Sequence, residues 1–599
     1  MSDSNPLVSD RDVEFLLYEV FDAPALCALP AYADHSRDTF DLLFRNTRRL
    51  AREVLFPAYR TLDIEPPAFR DGRIHVHPLL AKLYPQVVDL GALTMTRPSD
   101  VGGQQLPYIV HCVVQAYLGA ANGALVAYAG LTSGAAHLLE AFGSEFLREE
   151  FMSRMYAGDW TGTMALTEPQ AGSSLADVRT TATRAPDGSY RIRGSKIFIS
   201  GGDQDITENI VHLVLARIDG APAGTKGISL FAVPKKRPEK GTLVDNDVTV
   251  SGMIHKIGWK GLPSLALEFG DRGECHGWLV GEANRGLSQM FQMMNEARLM
   301  VGMSGVATAM VAYHEALNYA RTRPQGRGLA QRDVTQPQIP IIEHADVRRM
   351  LLRSKAIVEG AFALALATAR YADLAAHEVD DESRRRAKLL LDLLTPLAKT
   401  FPAEQGFEVN VLSVQIHGGY GYTSEYLPEA WMRDQKLNSI HEGTTGIQGL
   451  DLLGRKVVAG GGEALRLWSD EIDATITEAR AAGVNTAWCD RLAQVVASTA
   501  ALTMQLAQAG LEGDADRMLS HSADYMQLFS IVTVAWLWLR QAAVASRALA
   551  AGNTDRDFYE GKLRAAQYWF ATEVSRVEQL ATLCASGEDS YVGMKTESF

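Results

Sequence analysis

Three short segments set hydroxyls, glycines, an aromatic ring and a carboxylate where they could do chemistry. Met164-Ala-Leu-Thr-Glu-Pro-Gln-Ala-Gly-Ser173 joins a hydroxyl to a proline turn, then to glycine and serine. That composition lets backbone approach an anion closely, although an ordinary strand-to-loop turn has the same ingredients. Gly194-Ser-Lys-Ile-Phe-Ile-Ser-Gly-Gly202 closes a β-patterned run with an aromatic residue, an aliphatic residue, a hydroxyl and two glycines. It could hold a flat ring, or it could be a plain strand ending in a glycine turn. Ile440-His-Glu-Gly-Thr-Thr-Gly-Ile-Gln448 places Glu442 before a glycine. A carboxylate there can act as a base if an apolar setting raises its pKa toward the working pH, or it can be a solvated or capping group.

The elements that must position these segments fall into blocks. After an N-terminal extension (1–37), residues 38–161 read as mainly helical, with Leu, Val and Ala recurring at three- and four-residue spacings, as in Val110 to Leu118 and His137 to Leu147. Residues 162–284 turn β-branched and alternating, as in Tyr190 to Ile199, Ile210 to Arg217 and Gly227 to Val233, with a turn at Asp187-Gly188. Residues 285–456 are again helical apart from a loop at Pro324 to Pro340, which is rich in Gly, Gln and Pro. Gly460 to Gly462 then set off an appended helical domain, 463–599. The fold class expected is mainly α with a β domain.

Bulk composition excludes several functions. A hydrophobic fraction of 47% against 22% charged residues predicts a chain folded throughout. The formal charge of -13 repels a phosphate backbone, so nucleic acid is not expected as a partner. Five scattered cysteines without a CxxC pair argue against a zinc site and a disulfide framework, so no metal is expected. The N-terminus has no basic stretch ahead of an apolar one, and the longest mostly apolar run, Leu528 to Leu539, is half of the ~20 residues that span a bilayer. A soluble cytoplasmic protein without a membrane span is expected.

Together with Gln415-Ile-His-Gly-Gly-Tyr-Gly-Tyr422 and Trp431-Met-Arg-Asp434, the three segments resemble the ordered signatures of the acyl-CoA dehydrogenase family: TEPxAGS, an aromatic-Ile-Thr/Ser element, RxxFG, QxxGGxG and EGT. The match runs from about residue 80 to 456. The block after Gly460 and the N-terminal lead containing Phe15-Leu-Leu-Tyr-Glu-Val20 look like the larger bacterial branch that includes methylthiopropanoyl-CoA and long-chain dehydrogenases. The resemblance implies a helical domain, a β-barrel-like middle domain and a second helical domain, with the appended domain beyond.

It also implies an FAD-dependent oxidoreductase of fatty-acid β-oxidation that converts an acyl-CoA to the trans-2-enoyl-CoA. Glu442 matches the base that removes the α proton while the β hydride goes to the flavin, and an electron-transfer flavoprotein would take the electrons onward. Leu166, Thr167, Gly172, Ser173, Phe198, Ile199, Ser200, Arg323, Gln415, Gly418, Gly419 and Thr444 match FAD positions. Arg323 and the Gln415 segment are those that reach a neighbouring subunit's cofactor, which implies a homo-oligomer, a dimer or a dimer of dimers. Ser173, Asn295, Arg298 and Gly443 match positions near CoA. The sequence departs from the pattern at Gly326, Ala345 and Gly446, which implies that part of the adenosine end is held differently, and His441 replaces the usual Tyr before the base, where it could tune chain length or the pKa of Glu442.

Two other readings share these motifs. An acyl-CoA oxidase has the same fold and base but lets dioxygen reach the reduced flavin. A DNA-protection relative would need a basic C-terminal block, whereas residues from Gly460 onward carry 18 acidic and 11 basic side chains, a net of -7.

Overall fold

The computed structural model describes residues 5–331 and 333–599, with the side chains of 292–295 left outside the description. The chain divides into two compact units. One, here the β unit, comprises Thr39–Leu106 and Tyr117–Met300; the other, the helical unit, comprises Met1–Asp38, Pro107–Ala116 and Val301–Phe599.

The β unit is built on an eight-stranded sheet. Its strands are β1 (Trp160–Ala165), β2 (Thr181–Arg184), β3 (Tyr190–Ser200), β4 (Asn209–Ile218), β5 (Ile228–Pro234), β6 (Val248–Ile254), β7 (Ser264–Phe269) and β8 (His276–Val280). Their order is β6-β7-β3-β8-β5-β4-β1, with β2 bridging β3 and β4. Two neighbouring inner strands, β4 and β5, are buried along nearly their whole length, which is why NIVHLVLARI and ISLFAVP are almost continuously apolar instead of alternating. Val211, Leu213 and Leu215 of β4 pack with Leu230 and Ala232 on one face, while Val214 and Ala216 pack with Phe231 and Val233 on the other. β1 runs parallel to β4, with Thr163 opposite His212, and leads directly into the Leu166–Ser173 segment.

The reading of 38–161 as mainly helical misses a hairpin. Ala68–Arg70 pairs with Arg73–His75 around Asp71 (φ +52) and Gly72 (φ +74). Two successive left-handed residues are what a two-residue hairpin requires, and Asp-Gly is among its strongest signals. Asp203 accepts from the Ile74 amide at 3.0 Å and fixes this hairpin to the turn that follows β3.

The helical unit is organised by long helices. α1 (Tyr108–Phe142) and α2 (Gly286–Thr322) each have one part in each unit. α3 (Ala345–His377) and α4 (Asp381–His417) lie wholly in the helical unit, as do the short α5 (Thr445–Asp451) and, in the appended block, α6 (Ser522–Ala550) and α7 (Arg556–Thr572). α3 meets α6 closely at Gly360, where a Cβ would lie 2.7 Å from Val534, and Trp538 donates its indole N–H to the Ala356 carbonyl at 3.1 Å. The glycine run does mark a break: Gly460, Gly461 and Gly462 are all left-handed, with φ of +58, +68 and +79. The appended helices nevertheless share a core with α3, and the N-terminal extension joins them through Phe15, which meets Phe558 edge-on at 5.3 Å.

α1 and α6 are long and apolar enough to cross a bilayer, more so than the run from Leu528 to Leu539 suggests. Their most apolar windows are 83% and 89% buried by the protein itself, so they read as core helices.

Candidate active site

The functional segments form two constellations, one in each unit. In the β unit, Leu166 and Thr167 leave β1 and run alongside β3, where Thr167 accepts the Ile197 amide at 2.9 Å. Lys196, fully buried, donates to the Leu166 carbonyl at 3.0 Å and to Glu168 at 2.9 Å. The Glu168 carboxylate also accepts from the amides of Arg179 (2.7 Å) and Thr180 (3.0 Å) and from the Thr180 hydroxyl (2.6 Å). It therefore clasps both ends of the loop that exposes Gly172 and Ser173. Burial pushes the carboxyl pKa up, but Lys196 and these hydrogen bonds win and hold it at about 2. At Lys196 burial dominates and lowers the ammonium to about 8.

Phe198 sits in a β-bulge. Leu265 of β7 pairs with Ile199 and Leu267 with Lys196, so Ile197 and Phe198 together oppose Ala266. The extra residue turns Phe198 to φ +61, costly for an aromatic residue, and leaves the residue 61% exposed. The Ile199 side chain points the other way into the sheet core at 2% exposure, whereas Phe198 is exposed and Ser200 half-buried. Arg298 is buried on α2, and Asn295 lies outside the described residues.

In the helical unit, Glu442 has φ +54 and Gly443 φ +91. A non-glycine residue in this region costs about 1–3 kcal/mol and persists only where its surroundings fix it. Gln448 Nε2 donates to the Glu442 carbonyl at 3.0 Å, and the buried Lys399 Nζ donates to the Gly443 carbonyl at 2.7 Å. A Cβ at Gly443 would lie 2.5 Å from Gln448 Nε2, so glycine is needed for space as well as for φ. Thr444 caps α5 by accepting the Ile447 amide at 3.4 Å, and Thr445 donates to Glu404 of α4. Burial, then the Lys399 cation, pushes His441 down to about 3, so the ring is neutral at physiological pH and any tuning it exerts is that of an uncharged group.

Arg323, Gln415, Gly418 and Gly419 share an exposed surface of this unit. Arg323 lies 5.5 Å over Tyr420, at the end of α2, and α4 terminates at Gly418 with φ +62. A Cβ at Gly326 (φ +66) would lie 3.6 Å from the His344 ring, and that ring meets the Gln325 carbonyl at 2.7 Å, so the His344 ring borders the position where the usual Phe would be.

Four family models cover almost the whole chain. The N-terminal, middle and C-terminal domains of acyl-CoA dehydrogenases match residues 38–159, 163–271 and 284–457, and an acetyl-CoA dehydrogenase C-terminal-like domain matches 468–595. A 3-methylmercaptopropionyl-CoA dehydrogenase of Ruegeria pomeroyi is 38% identical over 94% of this chain and 95% of its own. The chain belongs to the acyl-CoA dehydrogenase family. The broad-specificity linear acyl-CoA dehydrogenase FadE5 of Mycobacterium tuberculosis is 36% identical over 93% of this chain and 94% of its own. A Bacillus anthracis acyl-CoA dehydrogenase crystallised with FAD shares the fold at a TM-score of 0.74 and 20% identity, over 97% of this chain and 91% of its own.

Sequence reasoning passed over three residues of this dehydrogenase: Lys196, Glu168 as a clasp, and Lys399. A lysine inside a β-patterned run was the available signal for Lys196; nothing local marks Lys399. Glu168→Gln is expected to loosen the 168–180 loop, weakening FAD retention at least tenfold by titration of apoprotein. Because the folded pKa of Glu168 lies below its unfolded value of about 4.5, its stabilising contribution is present above pH 4.5 and fades as pH falls toward 2. The variant should therefore also show a flatter loss of melting temperature across that window.

Proposed function

We propose that this enzyme oxidises an acyl-CoA thioester between Cα and Cβ, giving the trans-2-enoyl-CoA, with Glu442 as the base. The observation that carries the reading is the pinned left-handed pair Glu442–Gly443, a strained carboxylate loop held from two sides in a chain of this family. FAD, when bound, supplies the hydride acceptor. The β unit fits it: Phe198 offers an exposed ring face, and the loop clasped by Glu168 exposes Gly172, where nothing lies within 4 Å of a Cβ position, next to Ser173. Thr167 and Ser200 would add hydroxyls to this FAD surface.

Glu442 takes the α proton as an enolate develops on the thioester oxygen. That charge must be met by donors in place before reaction, and the Glu442 amide is the one this loop orients. Ser173, Arg298 and Gly443 would contact CoA. The exposed patch of Arg323, Tyr420, Gln415 and Gly418–Gly419 suits a second copy of the chain, with the guanidinium available to a pyrophosphate. An electron-transfer flavoprotein would receive the electrons, in the cytoplasm.

Steady-state oxidation of straight-chain and methylthio acyl-CoAs from short to long, with dye-linked reduction and peroxide followed together, tests this reading. Enoyl-CoA formation coupled to dye supports it. Stoichiometric peroxide makes the enzyme an oxidase, and no turnover of any thioester overturns it.

A further inference from the structure

The Glu442 loop is held by a residue that no step above uses. Lys399 lies in the middle of α4, fully buried, 44 residues before the residue it holds. Burying an ammonium is costly unless its hydrogen bonds are well placed. Here Nζ donates at 2.7 Å to the carbonyl of Gly443, the residue that follows the base.

The helix around it is unusual in the same place. Pro396 and Pro402 flank Lys399 three residues to either side, and each removes a backbone donor from α4. α2 crosses Lys399 at Gly302, where a Cβ would lie 2.0 Å from the Ala398 carbonyl and 3.2 Å from the Lys399 Cα. The Pro402 carbonyl accepts from Gln435 at 2.9 Å. The backbone that carries the lysine is thus fixed by close packing and by hydrogen bonding.

Two successive left-handed residues relax by rotating the peptide planes around them, and two of those planes, between and after the pair, are held here. The Gln448 amide holds the Glu442 carbonyl, and Lys399 holds the Gly443 carbonyl. With both planes held, the Cα–Cβ bond of Glu442, from which the carboxylate projects, is restrained as well. We propose that Lys399 is the positioning residue of the base, its charge-assisted hydrogen bond to Gly443 keeping Glu442 aligned for proton abstraction. The reach of its charge into the loop is visible at His441, which it helps to keep neutral. The proposal rests on Glu442 being the base.

The test compares the FAD-loaded parent with Lys399→Met, Lys399→Gln and Glu442→Gln, reading kcat, KM and the kinetic isotope effect of an α-deuterated acyl-CoA. Lys399→Met should lower kcat about 10–100-fold, the scale of a misaligned reacting group, with KM within threefold and a larger isotope effect. Lys399→Gln, which can still donate, should recover part of the rate. If Glu442→Gln is inactive while Lys399→Met turns over like the parent, the positioning role is overturned and the base stands. If Glu442→Gln is fully active, the base assignment falls and takes this proposal with it. Should neither lysine variant retain FAD and parental stability, Lys399 is purely structural and the proposal is likewise overturned.

Discussion

Glu442→Gln is expected to lower kcat by about 10²–10⁴-fold while the protein keeps its fold, its FAD and its affinity for acyl-CoA. The substitution changes one oxygen to an amide and keeps the side-chain volume. The left-handed backbone at 442 and 443 is held through carbonyl oxygens by Gln448 and Lys399, not through the carboxylate, so the loop geometry should survive. What is lost is the proton acceptor. An amide cannot take a proton from carbon, and the oriented amide N–H of residue 442 remains to polarise the thioester, so binding should be spared while chemistry is lost. Rapid-mixing absorbance of the bound flavin, with KM or ligand affinity measured in parallel, separates the two. Normal turnover with FAD in place would remove Glu442 from the mechanism. A loss of FAD content instead would mean that the loop, not the carboxylate, carried the effect.

The second large effect is on stability and lies within the helical unit. Lys562 of α7, Lys355 and Glu359 of α3, and Asp12 of the N-terminal extension form a neutral quartet in its core. Lys562 Nζ is 2.6 Å from Asp12 and 2.9 Å from Glu359, and Lys355 pairs with Glu359. Burial alone would raise the Asp12 carboxyl, but the two lysines overcome it and hold its pKa far below the usual carboxylate range. Lys562→Met leaves two buried carboxylates to one lysine and should cost about 3–5 kcal/mol, because the uncompensated charge cannot reach water. Adding Asp12→Leu restores neutrality around the Lys355–Glu359 pair and should recover much of the loss. Denaturant melts of the parent, both single variants and the double variant form a cycle that measures this coupling. A Lys562→Met protein with an unchanged midpoint would show the quartet to be dispensable. The same contact makes residues 463–599 part of the core that α3 needs, so a chain ending before Gly460 is not expected to fold.

How far the site could be read from sequence depended on whether its signal was local. The β domain declared itself through alternating and β-branched runs, and β3, β4 and β5 were located to within about a residue. The motifs led to Glu442, Phe198 and the Gly172–Ser173 turn because types and short spacings are properties of contiguous chain. The Asp71-Gly72 hairpin had an equally local signal that the surrounding helical texture masked. Ile199 and Phe198 are neighbours in one motif whose side chains the strand sends to opposite faces, and the bulge that turns the backbone at Phe198 exists only because β7 pairs out of step with β3.

The sequence by itself determined the family and the class of fold, and it singled out Glu442 as the candidate base, because these rest on residue types in a fixed order. Tertiary structure alone decided how that carboxylate is held. Lys399 reaches Gly443 across 44 residues, Lys562 meets Asp12 from the other end of the chain, and Phe198 is turned outward by a strand nearly seventy residues away. Each is a pairing between groups whose sequence separation carries no pattern, and its energy comes from burial that only the packed chain creates.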